Sequence, residues 1–188
     1  MVNNAPSVYD IPSVYDTAGG GGDGIVIFDG IPHKYTVING FTILSENFKT
    51  RFNNGSGQDV QDDKYKYAFG YALNLSAVEY LQNNKSTIIP GWHVPTRDEY
   101  NDFFSSLSLT VSTAYTKLKS KLWNINNDDI GFSALPNGGR YSGGWQNVNT
   151  ACYLRTLDGF VLGINENSSA WESLGYYGNA FPIRLFKD

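Results

Sequence analysis

Gly91-Trp92-His93-Val94-Pro95-Thr96-Arg97-Asp98-Glu99-Tyr100 is the stretch on which the fold class turns, because it converts an extended run into a helix within a few residues. Pro95 interrupts the extended run and Thr96 is a good N-cap. Glu99 stands where its carboxylate can reach back to the Thr96 amide. Tyr100, Phe103, Phe104 and Leu107 then fall at i, i+3, i+4 and i+7, the spacing of one buried helical face. Asp98 and Glu99 complement the positive end of the helix dipole, and this explains them better than an acid and base pair would. Trp92 is expected to lock the incoming strand onto the helix, with His93 in the turn.

The surrounding composition favours strands and loops. The 188 residues allow one domain of ordinary size plus an appendage, and 41% hydrophobic residues are enough for a core. Aromatic residues make up 15% and charged residues only 17%, with many Tyr, Gly and Asn. A formal charge of −4 provides no basic field for nucleic acid. Cys152 is the one cysteine, which excludes an internal disulfide framework and a cysteine-rich zinc site. His33 and His93 lie far apart without metal-ligand spacing, so neither a metal nor another cofactor is expected. Met1-Val2-Asn3-Asn4-Ala5-Pro6 lacks a basic and then apolar leader pattern, and no run reaches the length of a membrane span. The expectation is a protein made in the cytoplasm without Sec export, and with no membrane partner.

Two parts follow in chain order. Residues 1–23 read as an extended arm. Within it Pro6-Ser7-Val8-Tyr9-Asp10 is repeated, after Ile11, as Pro12-Ser13-Val14-Tyr15-Asp16. A period of six is too short to build a core, and each Pro biases its neighbours to extended backbone. Gly19-Gly20-Gly21-Gly22 then supplies a flexible spacer. Val8, Tyr9, Val14 and Tyr15 are the candidate anchors, able to fill pockets on a partner.

Residues 24–188 read as one domain. Ile25-Val26-Ile27-Phe28 is a strand-like run closed by Asp29-Gly30. Tyr35 to Ile38, Asn39-Gly40 and Phe41 to Leu44 read as a hairpin across a type I′ turn. Residues 51–64 read as an exposed polar loop. Leu73, Ala77, Val78 and Leu81 predict a helix, although Asn74 and Ser76 are indifferent helix formers. Thr113 to Trp123 predicts a second, shorter helix with Ala114, Leu118 and Leu122 inward and Lys117, Lys119 and Lys121 outward. Asn124 to Asp129 is a polar loop whose carboxylates and amides could hold a cation, but it lacks the spacing of a calcium-binding helix-loop-helix and reads first as a solvated turn. Cys152 to Arg155, Phe160 to Ile164 and Phe181 to Phe186 read as strands between glycine-bearing turns.

Four separated pieces together resemble one family. They are Asp29-Gly30 with Tyr35-Thr36-Val37-Ile38-Asn39-Gly40 and Glu46-Asn47-Phe48-Lys49-Thr50; Gly91-Trp92-His93-Val94-Pro95-Thr96; Gly131-Phe132-Ser133-Ala134-Leu135-Pro136 with Gly139-Arg140; and Ile183-Arg184-Leu185-Phe186-Lys187-Asp188. In this order they look like the Fibrobacter succinogenes major paralogous domain, a branch of the C-type-lectin-like folds. The resemblance implies an α+β domain over residues 24–188, with two helices flanking a small antiparallel sheet, termini close together and a loop-rich insertion. It brings no catalytic residues. The paired cysteines of the formylglycine-generating relatives are not met by Cys152 alone. Trp123-Asn124 is followed by Ile125, not by the Asp of the calcium-dependent sugar-binding signature.

Bacterial members resemble exported surface proteins, whereas this chain carries a tyrosine-bearing arm and a glycine spacer. The arm is similar to the pegs by which phage fibre and decoration proteins attach to a capsid or tail. The functional expectation is therefore a phage virion structural protein and not an enzyme: a head fibre or decoration protein, with a lectin-like tip for host attachment. Residues 6–16 would bind capsid or tail proteins of the same virion, and a trimer would multiply that weak contact. Trp145, Tyr153, Arg155, Asn165, Glu166, Asn167, Trp171, Tyr176 and Tyr177 are the candidates to touch a host glycan or protein, since aromatic faces stack on sugars while Asn and Arg hydrogen-bond. The alternative is a bacterial cell-surface lectin-like module outside any virion.

Overall fold

Two tight turns start the main sheet. Asp29 and Gly30 have φ of 47° and 75°, and Asn39 and Gly40 have φ of 48° and 88°. Two successive positive φ values define the type I′ turn, whose twist matches that of the strands on either side. They join β1 (Gly24–Phe28) to β2 (Ile31–Ile38) and β2 to β3 (Phe41–Leu44), with Phe28 opposite Ile31 and Ile38 opposite Phe41. The hairpin read from the sequence is present, and Asp29-Gly30 makes a second one. The computed structural model describes residues 23–52, 58–59, 69–120, 123, 130–142, 144–173 and 178–188. The arm, including Val8, Tyr9, Val14 and Tyr15, lies outside the described residues.

The elements in chain order continue with β4 (Gln58–Asp59), β5 (Ala72–Leu73), α1 (Leu75–Asn83), α2 (Lys85–Ile88), β6 (Trp92–His93) and α3 (Arg97–Ser106). After a 3-10 turn at Val111–Thr113 come α4 (Tyr115–Leu118), β7 (Gly139–Tyr141), β8 (Gly144–Gln146), β9 (Cys152–Arg155), β10 (Val161–Ile164), β11 (Ser169–Glu172) and β12 (Phe186–Lys187). The architecture is mixed α+β. A five-stranded antiparallel sheet has the order β1-β2-β3-β12-β6, and a three-stranded sheet the order β11-β10-β9.

Alternation in the main sheet sorts two cores. Ile43 and Phe186 face one cluster with Tyr100, Phe103 and Phe104 of α3, while the adjacent Leu44 and Leu185 face another with Ala77, Val78 and Leu81 of α1. Successive side chains of a strand point to opposite faces, so each helix has its own side. Burying each of the α3 aromatics stabilises the fold by about 2 kcal/mol. The helix begins as its sequence requires: Thr96 Oγ1 accepts from the Glu99 amide at 3.2 Å, and Glu99 Oε2 accepts from the Thr96 amide at 2.8 Å. Leu107 caps its end and is partly buried against the same cluster.

Several local readings change in three dimensions. Trp92 belongs to the α1 core, where it meets Phe28 and Tyr35, so it does not lock the strand onto α3. Asn74 is the N-cap of α1, its side chain accepting from the Ala77 amide at 2.9 Å, and Leu73 belongs to β5, not to the helix. The predicted helix over Thr113 to Trp123 is reduced to a 3-10 turn and α4. Lys119 leaves it with extended backbone, and the Ser120 amide and Leu118 carbonyl both bond to Ala134. Lys119 is consequently buried, contrary to the outward position expected; its Nζ donates to the Glu166 carbonyl at 2.6 Å. Lys121 and Leu122 lie outside the described residues, as does the Asn124 to Asp129 turn. In the loop read over 51–64, Arg51 is exposed as expected but Phe52 is buried. Phe181 to Phe186 forms a strand only from Phe186, although carbonyls of Phe181, Pro182, Ile183 and Leu185 accept from Leu73, Arg155, Phe48 and Leu44.

Candidate functional site

Both sequence-flagged histidines are accounted for by structure. His33 is buried between Phe28 and Phe48, with Nδ1 3.0 Å from the Ile31 carbonyl and Nε2 2.9 Å from the Lys49 amide. That pattern fixes a neutral ring: Nδ1–H donates and Nε2 accepts. Burial, with Lys49 adding to it, pushes its pKa down to about 4. His93 lies on β6 and not in a turn, between Asp188 Oδ1 at 2.8 Å and Glu99 Oε1 at 2.7 Å. Burial alone would raise the Glu99 pKa, but hydrogen bonds from the Thr96 amide and hydroxyl and from His93 outweigh it and hold the carboxyl below its usual range. Cys152 is buried, and burial pushes its thiol up to about 12, so it is an unreactive core residue. Among the described residues no group of three His, Cys, Asp or Glu side chains is placed to hold a metal ion, and no helix is long and apolar enough to cross a membrane.

The candidate ligand residues separate when placed on β9-β10-β11. Arg155 lies opposite Val161, and Val161 opposite Glu172; Tyr153, Gly163 and Ala170 form the next row. Directly opposed residues share a face, so these six project together. Leu154, Leu162 and Trp171 project to the other side. There Trp171 packs on Tyr100 and Phe104, and its Nε1 donates to Asn101 Oδ1 at 3.1 Å. Trp171 thus serves mainly to join the small sheet to α3. Asn165, Glu166 and Asn167 form the exposed β10-β11 turn, which caps Lys119. Trp145 is paired with Arg140 on β8, in the row adjoining the one that holds Tyr141, and therefore on the opposite face of the β7-β8 hairpin. Tyr176 and Tyr177 lie outside the described residues.

Tyr153 and Arg155 are buried, not displayed. Tyr153 is 6% exposed, its ring against Phe181 and Tyr141. The Arg155 guanidinium lies 5.0 Å from the Phe181 ring centre, and Nη2 donates to the Asn179 carbonyl at 3.0 Å. Among the described residues its Nε and Nη1 have no hydrogen-bond partner. Burial pushes its pKa down to about 10, which leaves it charged at neutral pH.

What the fold does bring together is a group that the sequence reading did not single out. Tyr141 of β7 sits over Tyr153 and Phe181, with ring centres 6.4 and 5.4 Å away. Its hydroxyl meets that of Tyr153, which also accepts from Asn147 Nδ2 at 2.9 Å. Burial, with the Tyr153 hydroxyl and the Glu172 charge adding to it, raises the Tyr141 pKa. Glu172 reaches over Gly163, and burial raises its pKa as well. The signal was available in Ser169-Ala170-Trp171-Glu172: once Trp171 is assigned to the core, alternation sends Glu172 to the opposite face.

No family model matches this chain, nor does any curated protein or solved structure. The assignment of function therefore rests on the residues and their geometry.

Proposed function

We propose that this chain is a phage virion structural protein, a head fibre or decoration protein with a C-type-lectin-like domain for attachment to a host-surface glycan. The observation that carries the proposal is the doubled Pro-Ser-Val-Tyr-Asp word ahead of four glycines, joined to a domain that encloses its own aromatic cores. An arm of that kind has chemistry suited to docking, and a glycine spacer lets the domain swing free of the dock. Trimerisation would raise the effective concentration of three weak arms at one particle.

The lectin-like reading draws support from the packing around Arg184. This buried side chain donates to Asn47 Oδ1 at 3.1 Å and to the carbonyls of Leu44, Phe132 and Ser133, and its guanidinium lies over the Phe132 ring. Three of the four sequence pieces that carry the family resemblance thus meet at one residue. The fourth, Gly91 to Thr96, pairs through Trp92 and His93 with Lys187 and Phe186.

A density gradient of a lysed native culture, probed with an antibody against residues 24–188, tests the role. The full chain should band with intact particles, and deletion of residues 1–22 should leave a soluble domain that no longer does so. Full-length protein found only with host membranes would overturn the virion reading in favour of a cell-surface module.

A further inference from the structure

We propose that Glu172, Tyr141 and Asn147 form a subsite for neighbouring hydroxyl groups of a neutral sugar, at the margin of the β9-β10-β11 face where Gly163 makes room for the Glu172 carboxylate. The inference rests on the adhesive reading above and gives that activity a location, one that differs from most of the residues the sequence suggested.

The floor of the subsite is a missing side chain. A Cβ on Gly163 would stand 2.5 Å from Glu172 Oε1 and 3.4 Å from the Tyr153 ring. The carboxylate therefore occupies space that any other residue at 163 would take. Glu172 is only partly exposed, yet it makes no hydrogen bond or ion pair among the described residues. A carboxylate that has lost part of its hydration without gaining a donor can recover that loss from the hydroxyl donors of a ligand. Being an acceptor only, with two oxygens, it is complementary to a pair of hydroxyl donors.

The remaining groups agree with that ligand. Tyr141 offers a half-buried ring and a hydroxyl oxygen that can accept from a ligand, and Asn147 brings an exposed amide whose Nδ2 is already committed to Tyr153. The Asn147 side-chain Oδ1, which accepts no hydrogen bond among the described residues, can take a third sugar hydroxyl. An ammonium group would also suit a carboxylate beside tyrosines, but two features oppose it. Arg155 projects from the same face and adds a positive charge there, and the Tyr141 and Tyr153 rings stand at 83° to each other, without a parallel pair to enclose a cation.

The test uses the full-length protein on immobilised neutral hexose and N-acetylhexosamine oligosaccharides, with amine-terminated oligosaccharides alongside. Wild type is expected to bind at least one neutral probe. E172A should weaken that binding tenfold or more and Y141F about threefold, both with unchanged melting curves, while D102N on the exposed side of α3 should bind as wild type does. Binding that E172A and Y141F leave unchanged, binding confined to the amine-terminated probes, or no neutral probe bound at all would each overturn the proposal. The gradient separates the two readings. Protein that bands with particles but ignores every neutral probe removes the subsite alone, whereas protein that binds sugar through Glu172 yet never joins a particle removes the virion role alone.

Discussion

Arg184 and Arg155 are both arginines with no exposed surface, yet the fold treats them in opposite ways. Arg184 joins the main sheet to the 132–133 segment, with Nε, Nη1 and Nη2 all engaged: Nε on Asn47, Nη1 on the Leu44 and Phe132 carbonyls, and Nη2 on the Ser133 carbonyl. Among the described residues Arg155 makes one hydrogen bond through Nη2 and leaves Nε and Nη1 with none. Burial of a charge costs several kcal/mol, which hydrogen bonds from well-placed acceptors can offset. The contrast shows that burial by itself does not mark a residue as a support of the fold. The number of acceptors that would be orphaned by its loss is the better guide.

The strongest way to break this comparison is to remove Arg184. R184M keeps most of the apolar stem but leaves three carbonyls and the Asn47 oxygen without their donor, and should cost about 4 kcal/mol or more in urea unfolding, at 1–3 kcal/mol for each buried group left unpaired. A loss below about 1 kcal/mol would show that those carbonyls find other partners.

His33 sharpens the same point from the side of a satisfied group, because its two hydrogen bonds require the neutral ring. In the unfolded chain the ring takes up a proton near pH 6.5, and in the folded protein only near pH 4. Between those values the unfolded state holds more protons, so stability rises with pH and is lost on acidification. The expected slope is about 1.4 kcal/mol per pH unit, giving roughly 3 kcal/mol over the whole window. The carboxyls of Glu99 and Asp188, held low by Thr96 and His93 in the first case and by Lys85 and His93 in the second, lose their contribution only at lower pH. H33F should therefore flatten the stability profile between pH 6.5 and 5, and an unchanged slope there would mean that another group titrates.

The smallest effect is expected at Arg155. R155M removes an under-solvated cation at the cost of one donor to Asn179, so stability should stay within about 1 kcal/mol of wild type in either direction. A loss equal to that of R184M would show that Nε and Nη1 are compensated after all, and would erase the distinction between the two sites.

Elements defined by near neighbours were legible in the chain. The Asn39-Gly40 turn, the Thr96 and Glu99 capping box and the α3 face were read correctly, because each is set by residues within a few positions of one another. The Thr113 to Trp123 helix was not, because its C-terminal half is captured by Ala134 through a pairing that no local pattern encodes. The same limit governed the candidate site. Nine residues were drawn together by their chemistry and their nearness in sequence, but strand alternation puts Trp171 and Tyr153 on opposite faces of one sheet, and hairpin β7-β8 sends Trp145 away from Tyr141.

By itself the sequence determined the mixed α and β character, the Asn39-Gly40 turn and the start of α3 at Thr96. Those depend on backbone preferences and periodicity over a few residues. Only the tertiary structure decided which arginine is fully bonded, which histidine is held neutral and which carboxylate is left without a donor. Those properties depend on groups beyond the reach of a local pattern, from 16 residues apart for His33 and Lys49 to 140 for Arg184 and Leu44, and such partners are fixed by packing and not by pattern.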